Sequence, residues 1–309
     1  MLLNPATTAS GDNQYVIGVQ HRNQWLGSGT MFSTSTAMGE VSIGQKRGRR
    51  KAFVGLGLML NTDVGGESKM RLNTGGVTAA GYVPFKNGHW LSAGMQLAFN
   101  NRSADLSRLV FYNQWDGSSL NSSLPSGENN LNVSYGYLDA GAGLNYRFKP
   151  SRNVNVKRQS NEFNFGIALH HINQPKLRYD ALTEDKLYRK LTINAMYRFG
   201  ISNASAFQIN AIQFFQGKHT ETTIGMLYIW RMHEASLITT FSEEQNIYFG
   251  AFMRFNGGAF TPYLGADLGP FRLGISNDFN IGKVGNISRF SLELSLAYTF
   301  DKQAGFLRR

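Results

Sequence analysis

Apolar and polar residues alternate along this chain with a period of two, over segments of ten to thirteen residues. In the last such segment Phe290, Leu292, Leu294, Leu296, Tyr298 and Phe300 share one face, and Ser291, Glu293, Ser295, Ala297 and Thr299 share the other. A helix would scatter both sets around its surface; a strand separates them. The same division recurs. Leu91, Ala93, Met95, Leu97 and Phe99 oppose Ser92, Gly94, Gln96, Ala98 and Asn100. Leu138, Ala140, Ala142, Leu144, Tyr146 and Phe148 oppose Asp139, Gly141, Gly143, Asn145 and Arg147. The pattern predicts strands near 14–25, 29–39, 52–62, 70–83, 88–101, 135–148, 161–171, 189–200, 205–216, 221–232, 246–256, 259–268, 270–279 and 288–300. That makes fourteen; 232–246 is the weakest stretch, and twelve or sixteen strands stay open.

Each segment is long enough to cross a tilted barrel wall, and strands of soluble sandwiches are usually shorter. One apolar face for lipid and one polar face for a lumen predict an all-β fold, a transmembrane antiparallel outer-membrane β-barrel forming one domain over 1–309. Tyr15, Trp25, Tyr82, Trp90, Tyr146, Tyr197, Trp230 and Tyr298 sit near strand ends, as an interfacial girdle requires; core packing is the alternative for each. Gly55, Gly57, Gly94, Gly141 and Gly143 fall on the less apolar face, where they relieve crowding or let backbone approach. They predict an interior partly filled by larger neighbours.

Composition then narrows the picture. The 309 residues contain 31 basic and 20 acidic side chains, a net charge of +11, with 34 glycines and no cysteine. That excludes a disulfide scaffold and cysteine-ligated metals. No apolar run is long enough for a transmembrane helix. Mean hydropathy is −0.27, an average in which lumen-facing residues conceal a membrane band. A barrel needs export, so a signal peptide is expected to have been removed or omitted. The first predicted strand lies close to residue 1, which leaves little room for a plug domain.

With both termini in the periplasm, the longest external segment is 101–134, containing Trp115-Asp116-Gly117 and Leu124-Pro125-Ser126-Gly127-Glu128. The segment 171–188 is external as well. The periplasmic turns then hold Lys46, Arg47, Arg49, Arg50 and Lys51, the run reaching Lys157 and Arg158, and the short basic tail 301–309. Positive charge is thus biased toward the periplasmic side.

Four groups of residues carry a family resemblance: Leu3-Asn4-Pro5-Ala6 followed by His21-Arg22-Asn23-Gln24-Trp25; residues 111–117 with Leu124-Pro125-Ser126-Gly127-Glu128; His170-His171-Ile172-Asn173-Gln174-Pro175; and RFSLELSLAYTF over 289–300. In this order the chain resembles the PorP/SprF family of outer-membrane proteins of the type IX secretion system of Bacteroidota. It departs from the family's opening motif at Thr7, Thr8, Ala9 and Ser10, where a glycine usually follows. The resemblance implies a noncatalytic component of protein export. Its implied partners are exported adhesins bearing a C-terminal secretion domain, and periplasmic ring or peptidoglycan-linking proteins. Links to surface adhesin attachment and gliding motility come with the same resemblance.

Candidate contacts follow from these placements. On the external side Arg22, Trp25, Arg108, Trp115, Asp116, Leu124 and Glu128 combine apolar anchors with polar selectivity; a loop that merely seals the barrel is the alternative. Arg22 can instead pin a loop through a carboxylate, and Trp25 can anchor at the interface. Lys46, Arg47, Arg49, Arg50, Lys51, Lys157 and Arg158 suit an acidic protein surface, solvated turns or anionic lipid headgroups. Nucleic acid is disfavoured by the compartment. Asp139, Arg147 and Glu293 face the lumen, where carboxylate–arginine pairs brace a filled interior or tune a pore. His170 and His171 are adjacent on a strand and point to opposite faces, so a rim or hinge role fits better than a metal site. No nucleophile, base and orienting group form a set, no phosphate-binding glycine motif occurs, and no cofactor is expected. The competing functional class is a small-solute channel or a transporter of hydrophobic substrates.

Overall fold

The computed structural model describes residues 1–26, 31–45, 51–86, 88–121, 123–127, 132–150, 161–177, 185–202, 204–233, 245–256, 258–281 and 290–300. Alternation becomes a closed antiparallel barrel of fourteen strands. These are β1 (Tyr15–Leu26), β2 (Phe32–Ile43), β3 (Phe53–Gly65), β4 (Met70–Lys86), β5 (His89–Asp105), β6 (Asn132–Phe148) and β7 (Glu162–His170), then β10 (Lys190–Gly200), β11 (Ser205–Gln216), β12 (His219–His233), β13 (Gln245–Arg254), β14 (Ala259–Leu268), β15 (Phe271–Asn280) and β16 (Phe290–Phe300). Two short strands, β8 (Lys176–Leu177) and β9 (Asp185–Lys186), form a separate ribbon between β7 and β10. Closure is made by β1 against β16, from Tyr15↔Phe300 to Leu26↔Phe290.

Strand polarity follows the two faces. Ile17, Leu58, Val77, Leu97, Leu144, Ile167, Met226, Leu264 and Leu296 point outward as an exposed apolar belt. A closed ladder is what lipid demands, because every backbone amide must find its partner within the wall. Short turns close several hairpins. Gly217 opens the β11–β12 turn at φ 58°, in the left-handed region that glycine enters without steric cost.

The wall is uneven in height. β4, β5 and β6 each run for 17 residues, whereas β7 has 9 and pairs with β6 only from Ala142↔Leu169 to Phe148↔Phe163. β5 and β6 stay paired up to Asp105↔Asn132, so the connection between them is 106–131, shorter than the predicted 101–134. Residues 102–105 are Arg-Ser-Ala-Asp, with no apolar alternation to reveal them; the backbone ladder alone extends the strands. We call this the loop end of the barrel, and the other the turn end.

The interior departs most from expectation. The short segment before β1 turns back into the lumen and lies against β3 to β7. Asn4, Ala6 and Thr8 are fully buried there. The segment forms a single 3-10 turn, Pro5–Thr7, in which Asn4 Oδ1 accepts from the Ala6 amide at 2.9 Å and proline occupies the first helical position. Tyr82 and Trp90, placed by sequence in the interfacial girdle, also turn inward: Phe53 stacks on Tyr82 with centroids 4.2 Å apart, and Trp90 meets Phe53 edge-on at 5.7 Å. Trp230 and Tyr298 do project outward.

Candidate functional site

Three regions gather the candidate residues: the loop over the tall wall, the lumen, and the turn end. The loop builds itself from local hydrogen bonds. Asp105 ends β5 and accepts from the Ser107 amide at 3.2 Å, capping the turn Leu106–Arg108. A second turn, Tyr112–Gln114, buries Gln114. Its carboxamide oxygen accepts from the Phe111 amide at 2.9 Å, and its nitrogen donates to the Leu124 carbonyl at 3.1 Å. The Asn121 amide donates to the Gln114 carbonyl at 2.8 Å, and Trp115 and Leu120 form an isolated bridge.

With polar groups turned inward, apolar ones are left outside. Tyr112 is 89% exposed, and Val110, Trp115 and Leu120 are exposed beside it. Together with Phe111 they line a shallow, open hollow of about 370 Å³. Asp116 closes the turn behind Trp115, its carboxylate accepting from the amides of Ser118 at 2.9 Å and Ser119 at 2.8 Å. Those bonds favour the ionised form and hold this carboxyl down at about 2.

Of the predicted external contacts, Trp115 and Asp116 share this surface. Leu124 contributes the carbonyl that fixes Gln114. Arg108 lies in the first turn, and Glu128 lies outside the described residues. Sequence reasoning missed Val110, Tyr112 and Leu120 as surface residues; the signal was the apolar run Val110-Phe111-Tyr112 inside an otherwise polar loop. Arg22 and Trp25 lie elsewhere. Arg22 points into the lumen, where its guanidinium donates to Asp278 Oδ2 at 2.6 Å and lies 3.9 Å from Glu293. Trp25 sits at a register shift in β1 with φ 61° and packs edge-on against Phe32 at 5.1 Å.

The lumen has two unlike walls. On one, the N-terminal segment is held by specific bonds. Asn4 Nδ2 donates to the Leu144 carbonyl at 3.0 Å. The Tyr82 hydroxyl lies between the carbonyls of Ala6 and Thr8, at 3.0 and 2.6 Å, and Ser92 donates to the Ala6 carbonyl at 2.7 Å. The hydroxyls of Thr8 and Thr78 are 2.9 Å apart. The glycines explain the fit. A Cβ at Gly94 would fall 2.5 Å from the Pro5 carbonyl, and one at Gly166 would fall 2.5 Å from Asn4 Nδ2; Gly55, Gly57 and Gly143 are pressed by the same segment.

On the other wall, charged side chains pair across strands. Gln20 donates to Glu293 at 2.7 Å. Arg254 lies 3.7 Å from Asp278 and 3.3 Å from Glu221, and Thr261 donates to Asp278 at 2.7 Å. Nearer the turn end Arg198 donates to Gln208 at 2.7 Å, and the Tyr248 hydroxyl donates to Asp267 at 2.6 Å. Arg147 ties the N-terminal segment to the charged lining: it donates to Glu162 at 2.8 Å and to the Ser10 carbonyl. Asp139 pairs with His171 at 2.9 Å. His170 instead meets the Leu3 carbonyl at 3.2 Å, so the two histidines serve different partners.

At the turn end Lys51 is exposed. Lys46, Arg47, Arg49, Arg50, Lys157, Arg158 and the tail 301–309 lie outside the described residues. Lys149 forms an ion pair with Asp12, tying the N-terminal segment to that end.

Comparison with known proteins places these features. The family model described as "Type IX secretion system membrane protein PorP/SprF" matches residues 1–298. No curated protein matches the chain. Among solved structures, the toluene transporter TbuX of Ralstonia pickettii is similar at 10% identity with a TM-score of 0.56, covering 97% of this chain and 92% of that one. A FadL homologue of Pseudomonas aeruginosa is similar at 10% identity and a TM-score of 0.53, covering 96% and 93%. The toluene transporter TodX of Pseudomonas putida follows at 8% identity and a TM-score of 0.51, covering 96% and 92%. At such identities the likeness is one of fold.

Proposed function

The chain belongs to the PorP/SprF family of type IX secretion system membrane proteins, and from that premise we propose that it works as a noncatalytic docking barrel. It is an outer-membrane β-barrel associated with secretion. In our reading the 106–131 loop faces outward and receives the C-terminal secretion domain of an exported adhesin. The basic turn end, with Lys46, Arg47, Arg49, Arg50, Lys51, Lys157 and Arg158, faces the periplasm and meets ring or peptidoglycan-linking components.

The observation that carries this reading is the surface formed by Val110, Tyr112, Trp115 and Leu120. Aromatic side chains this exposed are costly to leave in water and suited to burial against a partner. They are presented by turns that Gln114 and Asp116 fix through their own hydrogen bonds, so these turns need little further ordering on binding. A route for apolar solutes is disfavoured by the charged inner wall around Arg22, Arg254, Asp278 and Glu293.

The test is a binding titration with the isolated C-terminal secretion domain of a co-expressed adhesin. Replacing both Tyr112 and Trp115 by alanine is expected to weaken binding about 1000-fold, since hot-spot aromatics contribute about 2 kcal/mol each and about 1.4 kcal/mol is tenfold. Undiminished affinity in a correctly assembled barrel overturns external docking. Charge neutralisation over 46–51, measured against periplasmic components, tests the other face in the same way.

A further inference from the structure

The N-terminal segment covers only one side of the lumen. Its bonds run to Glu40, Thr78, Tyr82, Ser92, Leu144, Arg147 and His170, all between β2 and β7. The facing wall, from β10 round to β1, is left with its own side chains. Arg22 keeps 26% of its surface exposed, Glu293 31% and Arg198 31%, although all three point into a closed barrel. Leu3 lies inside the same barrel, next to the fully buried Asn4, and is 41% exposed. Side chains on both sides of the gap therefore border space that admits water.

The polar lining extends along the barrel's height. Arg22, Glu221, Arg254, Asp278 and Glu293 form a tier toward the loop end. Glu162, Arg198, Asp267 and Arg272 form another toward the turn end. Gln20 and Asn210 lie between. A fourteen-stranded wall encloses a lumen of small-solute scale before any filling.

We propose that this uncovered side is a water-filled slot that conducts small inorganic ions, and that the N-terminal segment sets its width. The inference does not rest on the docking reading: a docking barrel can conduct, and a conducting barrel need not dock. Acidic and basic groups are interleaved along the slot, so neither sign of ion meets a continuous barrier and selectivity between K⁺ and Cl⁻ is weak. Arg272, 50% exposed near the turn end, is the group best placed to bias it.

The full chain, purified and reconstituted in a planar bilayer under a KCl gradient, provides the test. The expected result is a small, steady conductance with a reversal potential near zero. Arg272→Glu is expected to move that potential toward the K⁺ value, and Gly94→Val with Gly143→Val, which unseats the segment, to raise conductance severalfold. Heat-modifiable gel mobility verifies that each variant is a folded barrel. A silent wild-type barrel overturns the proposal, even if the glycine variant conducts, because the segment would then seal the lumen. A conductance whose reversal potential ignores Arg272→Glu also overturns it. The Arg272 variant keeps the proposal decidable if the glycine variant fails to fold.

Discussion

On the side of the barrel built by β3 to β7, the inward positions include Gly55, Gly57, Gly94, Gly143 and Gly166, and the backbone of residues 4–8 fills the space they leave. On the side built by β10 to β16, the inward positions include Arg198, Glu221, Arg254, Asp278 and Glu293, and paired charges line the lumen without filling it. Both sides present the same apolar alternation to lipid. The difference shows that alternation specifies the outside of a barrel and leaves the inside open to unlike solutions. Filling with backbone brings carbonyls into the interior, and each needs a donor; Tyr82, Ser92 and Arg147 meet that need for Ala6, Thr8 and Ser10. Lining with charges removes ions in part from bulk water, and each needs a counter-ion; Arg22 with Asp278, and Arg254 with Glu221, meet that need.

The most severe way to break the contrast is to add volume on the glycine side. Gly94→Val combined with Gly143→Val is expected to cost roughly 2–6 kcal/mol if the segment stays in place, at about 1–3 for each overpacked site, and so to expel it. Protease cleavage within residues 1–12 reads the outcome; protection equal to wild type would show that the seat is not tight. On the charged side Asp278→Asn leaves Arg22 and Arg254 without their shared carboxylate. Because the pair is partly solvated, a loss of about 2 kcal/mol is expected, less than for a fully buried pair, with the N-terminal segment still protected. A smaller loss of about 1 kcal/mol is expected for Tyr82→Phe, which removes one shared hydrogen bond, measured by urea unfolding in lipid vesicles. Since the two sites lie on opposite walls, Tyr82→Phe and Asp278→Asn are expected to add to within about 0.5 kcal/mol. Marked non-additivity would mean that the walls are coupled across the lumen.

The smallest effect is expected outside the lumen. Asp116 has its carboxyl lowered from 3.8 to about 2, so its contribution to loop order is complete above pH 3.8 and is lost as pH falls through about 2. Tryptophan fluorescence from Trp115 is therefore expected to stay constant from pH 7 to 4. A transition near pH 4 would show that the amides of Ser118 and Ser119 do not hold the carboxylate.

The barrel was legible because lipid imposes a strict rule. Each residue such as Leu97 or Leu144 must face out and each Gln96 or Asn145 must face in, and a period of two records that choice directly. The upper ends of β5 and β6 were not legible, since 102–105 and 132–134 stand where neither face is required to be apolar. The inward faces were legible one strand at a time. Glu293 and Arg147 could be assigned to the lumen, but not to Arg22 and Glu162, because cross-strand pairing depends on register. Most of all, no local signal links Asn4 to Gly143. Both were singled out for separate reasons, the one in a motif and the other as a glycine on an inward face; only closure of the barrel brings them together.

That closure also orders events in time. Asn4 donates to the Leu144 carbonyl and lies against Gly166, more than a hundred positions along the chain. The segment before β1 therefore has no complete binding surface until β6 and β7 have joined the sheet. Such distant partners make seating a late step of assembly. A segment that lies before every strand is thus among the last to find its place, and its seating marks a barrel whose strands β4 to β7 are already in register.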